Sequence, residues 1–169
     1  MPTYGLPTVI IKKSGIFDFD AVYKEIFNWL GRHMYDADEK LYKHKPGHAS
    51  GNEIEIEIEA AKKVTPYYMN KITVSAHLWD VTDIPVIIDG KKKIMTKNRI
   101  AIKLIGELET DYDDRFGNSK FMENIRAIFE NHIIKKKISN KYQYDLYKDV
   151  YELNRDIKEK MDMETIQNV

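Results

Sequence analysis

The stretch Gly51-Asn52-Glu53-Ile54-Glu55-Ile56-Glu57-Ile58-Glu59 alternates glutamate and isoleucine without a break. Successive side chains of a β-strand point to opposite faces, so Ile54, Ile56 and Ile58 fall on one side and Glu53, Glu55, Glu57 and Glu59 on the other. A helical period cannot sort these residues in that way. The stretch is therefore read as a strand in a sheet with one dry face and one wet face. A second alternating run extends from about Tyr67 to Trp79, with Ile72, Val74, Ala76 and Leu78 on one face and Lys71, Thr73, Ser75 and His77 on the other. Between the two runs, Lys62-Lys63-Val64-Thr65-Pro66 suits a hairpin loop. Coincident apolar faces suggest a register with Glu59 near Lys71 and Glu53 near His77, and a slip of two residues would preserve the faces.

Working outward, Asp89-Gly90 is a strong turn signal between Ile84–Ile88 and Lys91–Met95, and predicts a tight hairpin of the primed type. Arg99 to Glu109 reads as a further strand, with Ile100, Ile102, Leu104 and Leu108 inward. On the N-terminal side, Thr8-Val9-Ile10-Ile11 reads as a short strand. Asp18 or Asp20 then offers the N-cap of a helix whose stripe is Val22, Tyr23, Ile26, Phe27, Trp29, Leu30, His33 and Met34. A charged segment from Tyr35 to Lys45 ends at Pro46-Gly47. Beyond the strands, Asn118 or Ser119 caps a helix carrying Phe121, Ile125, Ile128, Phe129, His132 and Ile133. Asn140 with Gln143 resembles a capping box that opens a last helix bearing Tyr144, Leu146, Tyr147, Val150, Leu153, Ile157 and Met161.

The order is strand, helix, about four strands, two helices. It predicts a single α+β domain over 1–163 with a frayed tail over 164–169. The fold class is an antiparallel sheet of four to five strands with helices packed on one face, a two-layer sandwich. Helix-grip and pleckstrin-like folds share parts of this outline.

The segment Gly106-Glu107-Leu108-Glu109-Thr110-Asp111-Tyr112, with Ser119-Lys120-Phe121 and the run Ile133-Ile134-Lys135-Lys136-Lys137-Ile138, resembles small uncharacterised archaeal proteins, as does the Lys-, Ile- and Asn-rich composition. The resemblance spans about half the chain and implies no activity, cofactor or site residue.

Composition narrows the function classes. The chain has 169 residues, enough for one domain that buries roughly 70% of its unfolded surface. Hydrophobic content of 43% argues against disorder. Lys plus Arg (27) equals Asp plus Glu (27), and zero net charge argues against a dedicated duplex-binding protein while being compatible with self-association. The absence of cysteine removes disulfides, thiolate nucleophiles, iron–sulfur clusters and Cys-ligated zinc. No secretory signal is read at the N-terminus, and no apolar run approaches the ~20 residues that span a bilayer. A soluble, cytoplasmic protein is expected, with no membrane span.

Each candidate site competes with a plainer role. His33 and Asp36, with His44 and His48, form the densest set of ligand-type side chains, but His33 continues an apolar stripe and Pro46-Gly47 separates the other two. Asp111, Asp113 and Asp114 resemble part of a calcium loop, but Arg115 and Phe116 stand where such a loop needs a ligand and a glycine. No metal and no cofactor is therefore expected. The Walker loop, G-x-G-x-x-G, G-x-S-x-G and H-E-x-x-H are all absent, which leans away from an enzyme.

The leading expectation is a non-catalytic binding or interaction module that partners another protein or its own copies. It would work through either the charged sheet face of Glu53, Glu55, Glu57, Lys71, His77 and Lys103 or the tyrosine-rich last helix. The first alternative is a small-ligand-binding or hydrolytic fold with a pocket between sheet and helices, lined by Trp29, Tyr67, Tyr68 and Trp79. The second is a nucleic-acid-associated protein using Lys91, Lys92 and Lys93 on the hairpin, with Lys97 and Arg99, and Lys135, Lys136 and Lys137 near a helix end. Eleven tyrosines supply stacking surfaces for it.

Overall fold

The computed structural model describes residues 3–49, 51–113, 120–128 and 141–163. Its strands are β1 (Thr3–Gly5), β2 (Val9–Phe17), β3 (Asp36–His48), β4 (Gly51–Lys63), β5 (Tyr68–Ile88) and β6 (Lys91–Thr110). The helices are α1 (Phe19–Arg32), α2 (Lys120–Ile128) and α3 (Gln143–Lys160). All strand pairs are antiparallel, in the order β1–β6–β5–β4–β3, and β2 shares the outer edge of β6 with β1. The fold is α+β, and its sheet is larger than the four to five strands expected from the sequence.

The Glu/Ile stretch lies inside β4, near the middle of the sheet, and its isoleucines are buried as the alternation requires. They meet Ile72, Val74, Ala76 and Leu78 of β5 and Ile100, Ile102, Leu104 and Leu108 of β6 on the inner face. Val22, Ile26, Trp29 and Leu30 of α1 and Leu146, Val150, Leu153 and Ile157 of α3 close that core. Each buried aliphatic side chain contributes roughly 1.5–3 kcal/mol relative to exposure, so this one layer dominates stability. Asp18 is the N-cap of α1 and accepts from the Ala21 N–H at 3.0 Å. Met34, with a φ of 59°, takes the left-handed position that ends α1, and the Tyr35 N–H returns to the Leu30 carbonyl at 2.9 Å.

Several expectations are corrected. The runs 84–88 and 91–95 are not a separate hairpin but the far ends of two very long strands. One extra residue in β5 between Trp79 and Thr82 forms a bulge, with Asp80 at a φ of 57°. The bulge swaps the two faces, which hides the continuity of β5 from a period-two reading. Asp89 and Gly90 both have positive φ, as a type I′ turn requires. The β4–β5 register is the two-residue slip: Glu55 lies opposite His77, Glu59 opposite Thr73, and Ala61 opposite Lys71. The loop sets it, because the Val64 and Thr65 N–H groups both close onto the Tyr68 carbonyl.

The charged segment after α1 is edge strand β3, so His33 and Asp36 share no helical face. Tyr142 stands at the N-cap of α3, without a side-chain hydrogen bond, and the expected cap Asn140 lies outside the described residues. Tyr144 and Tyr147 of the last helix are exposed rather than core, as are Ile125 and Ile128 of α2. The expected caps Asn118 and Ser119, with Phe129, His132, Ile133 and the tail from 164, lie outside the described residues. No helix among the described residues is long and apolar enough to cross a membrane.

Gly106 on β6 lets α3 approach the sheet. A Cβ there would lie 2.9 Å from Val150 Cγ2 and 3.0 Å from Leu6 Cδ1. Gly106→Val is expected to destabilise the fold by about 1–3 kcal/mol in urea unfolding, through overpacking at the α3 seat.

Tyr23 of α1 donates a hydrogen bond to Glu39 of β3, and burial followed by that bond pushes its phenol up to about 12. A raised folded-state pKa stabilises fully below the unfolded value near 10, and the contribution is lost as pH rises through about 12. Urea midpoints should therefore fall across that alkaline window, and Tyr23→Phe should flatten the fall.

Candidate functional site

The face of the sheet turned away from α1 and α3 carries the polar half of every alternation. Across it run Lys43 and Lys45 of β3, the glutamates of β4, Lys71 to Trp79 of β5, Arg99 to Glu109 of β6, and Ile10, Lys12 and Ser14 of β2. Glu53, Glu55, Glu57, Lys71, His77 and Lys103, the six residues expected to form a charged surface, all lie on this face. They do not form one cluster. Lys71 pairs with Glu109 at 2.5 Å, Glu57 lies opposite Ser75, and Lys103 is exposed on β6.

The dense part of the face centres on His77. Its Nε2 donates to Glu53 Oε1 at 2.5 Å and lies 3.9 Å from Glu55 Oε1. Glu55 Oε1 also accepts from Lys45 Nζ at 2.6 Å, and Lys45 lies 3.9 Å from Glu53 Oε2. The Lys45 hydrogen bond holds the Glu55 carboxyl below the usual carboxylate range, and the same bond raises the Lys45 ammonium. Glu53 reaches His77 on the diagonal, although Glu55 sits directly opposite it; the register shift beside this contact comes from the extra residue of β5 between Leu78 and Val81, while β4 runs evenly from Asn52 to Ile54.

Next to this cluster, the His77 ring stacks on Trp79 with centroids 4.0 Å apart and planes 18° apart. The Arg99 guanidinium lies over the Trp79 ring at 5.8 Å, and its Nε donates to Asp80 at 2.6 Å. Trp79 and Arg99 border a shallow cleft of about 400 Å³ with Lys12, Lys13, Ser14, Ile100 and Ala101. The strip along β6 and β2 is basic, with Lys97, Arg99, Lys103 and Lys12, whereas the β4 row is acidic. The face is thus divided by charge although the chain is neutral.

The four rings expected to line one pocket do not meet. Trp29 is 0% exposed in the core, stacked between His33 and Tyr35, whereas Trp79 is on the other side of the sheet. Tyr68 is buried against Tyr142, and Tyr67 contacts it edge-on. The reason is parity: Trp79 follows Ser75 and His77 on the polar face, and Trp29 belongs to the α1 stripe.

Lys91, Lys92 and Lys93 stand exposed at the tip of the β5–β6 ribbon, and Lys93 pairs with Asp18 at 2.6 Å. Lys135, Lys136 and Lys137 lie outside the described residues. His33 caps α1 with its ring on Trp29, and His44 borders a separate cleft with Ile54 and Val81 on the inner side. Asp111 is buried and its N–H closes onto the Tyr67 carbonyl, whereas Asp113 is exposed and Asp114 lies outside the described residues. Neither of those sets gathers ligand atoms. Among the described residues, Glu53, Glu55 and His77 do, with one donor atom from each lying within 4.8 Å of the others.

Lys45 and Lys12 were not anticipated as site residues, whereas Arg99 and Lys97 were grouped with the lysine run of the hairpin. The signal for Lys45 was present, since Tyr42-Lys43-His44-Lys45 alternates in the strand manner.

No known protein-family model matches the chain, and no curated protein matches it.

The two tryptophans report separately on the two faces. Trp79→Phe should leave emission typical of a fully buried indole and insensitive to acrylamide, and Trp29→Phe should leave emission that is red-shifted and readily quenched.

Proposed function

We propose that this chain is a non-catalytic binding module that holds single-stranded nucleic acid along the basic β6–β2 half of its outer sheet face. The observation that carries the reading is Trp79. It is a large aromatic ring set on the outer face, bordering a cleft with Lys12 and Arg99, and flanked along β6 by Lys97 and Lys103. A single strand needs a cationic track for its phosphates and aromatic planes for its bases, and each stacked base contributes about 1–3 kcal/mol. The track has the length of a polymer. From Lys103 to Lys91 on β6 is about 40 Å at roughly 3.3 Å per residue, more than one nucleotide fills. Neutral net charge fits a single strand bound locally better than a duplex bound through a broad basic surface.

The inner face argues against the pocket alternative in its expected form, since Trp29 is sealed in the core. A second reading, self-association, draws on a different observation. The β5–β6 ribbon exposes Ile87 (79%) and Ile94 (67%). Paired ribbons would bury them, and native mass spectrometry of wild type against Ile87→Lys, Ile94→Lys tests that reading.

The main reading is tested by titrating an oligothymidylate into the Trp29→Phe variant, where Trp79 alone emits. Saturable quenching is expected, weakening steeply with salt, at about 0.7 log units per log unit of salt for each phosphate neutralised. Trp79→Ala should weaken binding by roughly tenfold or more, and Lys12→Glu, Lys97→Glu should nearly abolish it. Absence of quenching at low salt, or affinity indifferent to salt, overturns the proposal.

A further inference from the structure

We infer that Glu53, Glu55 and His77 form a surface site for one divalent transition-metal ion of the zinc type. The inference does not rest on nucleic-acid binding. One imidazole nitrogen and two carboxylate oxygens are the donor set of borderline ions such as Zn²⁺, Co²⁺ and Ni²⁺, whereas calcium takes six to eight oxygens. Donors bound at about 2.0–2.1 Å around a tetrahedral ion stand about 3.4 Å apart. Here His77 Nε2 lies 2.5 Å from Glu53 Oε1 and 3.9 Å from Glu55 Oε1. These values bracket that separation, so small side-chain rotations suffice and no strand needs to move. The ion takes the place of the hydrogen bond between Nε2 and Oε1, and the imidazole ligates through Nε2 as the neutral tautomer that carries its N–H on Nδ1. Three protein ligands leave a coordination position open to water.

Two features beyond the donor count support the site. The donors sit on adjacent strands near the middle of the sheet, and the stack on Trp79 fixes the plane of the imidazole. Orientation of a ligand ring by a neighbour is what a tight metal site requires. The cluster also already holds a cation. Lys45 Nζ lies against both carboxylates, yet its side chain is 40% exposed and attached to edge strand β3, so it can swing into solvent. Two carboxylates paired with one ammonium leave one negative charge uncompensated, and a divalent ion offsets both.

The test is calorimetry with Zn²⁺, and with Ni²⁺ read through Trp79 emission in the Trp29→Phe variant. One ion per chain is expected. Ni²⁺ should quench Trp79, because the liganded ring stacks on it, and excess Mg²⁺ should not compete. His77→Phe keeps an aromatic ring on Trp79 but removes the donor nitrogen, and should weaken binding by at least about tenfold. Glu53→Gln, Glu55→Gln should do the same without disturbing the stack. Lys45→Met should leave binding intact or tighter. Failure of wild type to bind Zn²⁺ overturns the proposal. So does binding unchanged in His77→Phe and in the double Gln variant, which would assign the ion to other histidines. Both variants are compared with wild type by circular dichroism. Should His77→Phe fold poorly, the double Gln variant decides alone, since its carboxamides keep the shape of the side chains they replace.

Discussion

The segregation of isoleucine from glutamate in β4 is the constraint on which the rest of the structure depends. The strand lies near the middle of the sheet, between β3 and β5. A slip by one residue would carry Ile54, Ile56 and Ile58 into water and the glutamates into the core, and each buried unpaired carboxylate would cost several kcal/mol. Slips by two keep the faces, and here a different device decides. The loop closed by Val64 and Thr65 on the Tyr68 carbonyl locks Glu55 opposite His77. Once that register holds, the positions of Lys45, Trp79 and Arg99 follow from strand geometry alone.

The same constraint explains why the inner and outer faces have different fates. The large apolar side chains of the inner face pack under α1 and α3, so Trp29, Leu78 and Ile102 leave no exposed surface inside, whereas Ile10 and Leu41 stand exposed on the outer face. The outer face receives no described helix. It remains soluble by carrying charges of both signs, paired across strands as Lys45 with Glu55 and Lys71 with Glu109. Such pairs add little stability where they are solvated. Their arrangement in rows matters more, because an acidic row on β4 beside a basic row on β6 and β2 creates a local field that a count of charges over the whole chain cannot reveal.

Much of this was legible from residue order, for stated reasons. Strong periodicity marked β4, the first half of β5, the inner residues of β6 and the stripe of α1, and Asp89-Gly90 marked its turn. The strand count failed where local chemistry is weak. β3 opens with Asp36-Ala37-Asp38-Glu39-Lys40, which has no large apolar residue to set a face, and β1 has only three residues. The bulge at Asp80-Val81 reverses parity in the middle of β5, so one strand reads as two. The helix stripes overstated burial, because Tyr144 and Tyr147 fall beside the apolar line of α3 rather than on it. At the candidate site, pairing of Glu53 with His77 was anticipated from coincident faces, but through a register the loop does not adopt. The contact survives because Glu53 reaches His77 on the diagonal. The alternation of Tyr42-Lys43-His44-Lys45 marks Lys45 as a strand residue, but not its partner Glu55, which lies across a strand boundary.

Trp79 shows why parity decides between two functional readings that the same residues permit. As one of two tryptophans it can be imagined in a pocket with Trp29, and amphipathic rings suit such pockets. Counting by twos from Ser75 through His77 places it on the wet face, where no core contact rewards so large a ring. A tryptophan retained there is held by His77 and Arg99, which are polar groups with other options, rather than by aliphatic neighbours. The cations around it lie along β6 and β2 rather than in a ring. That arrangement is a property of strand direction, and it would survive any repacking of the core that kept the register of β5 against β6.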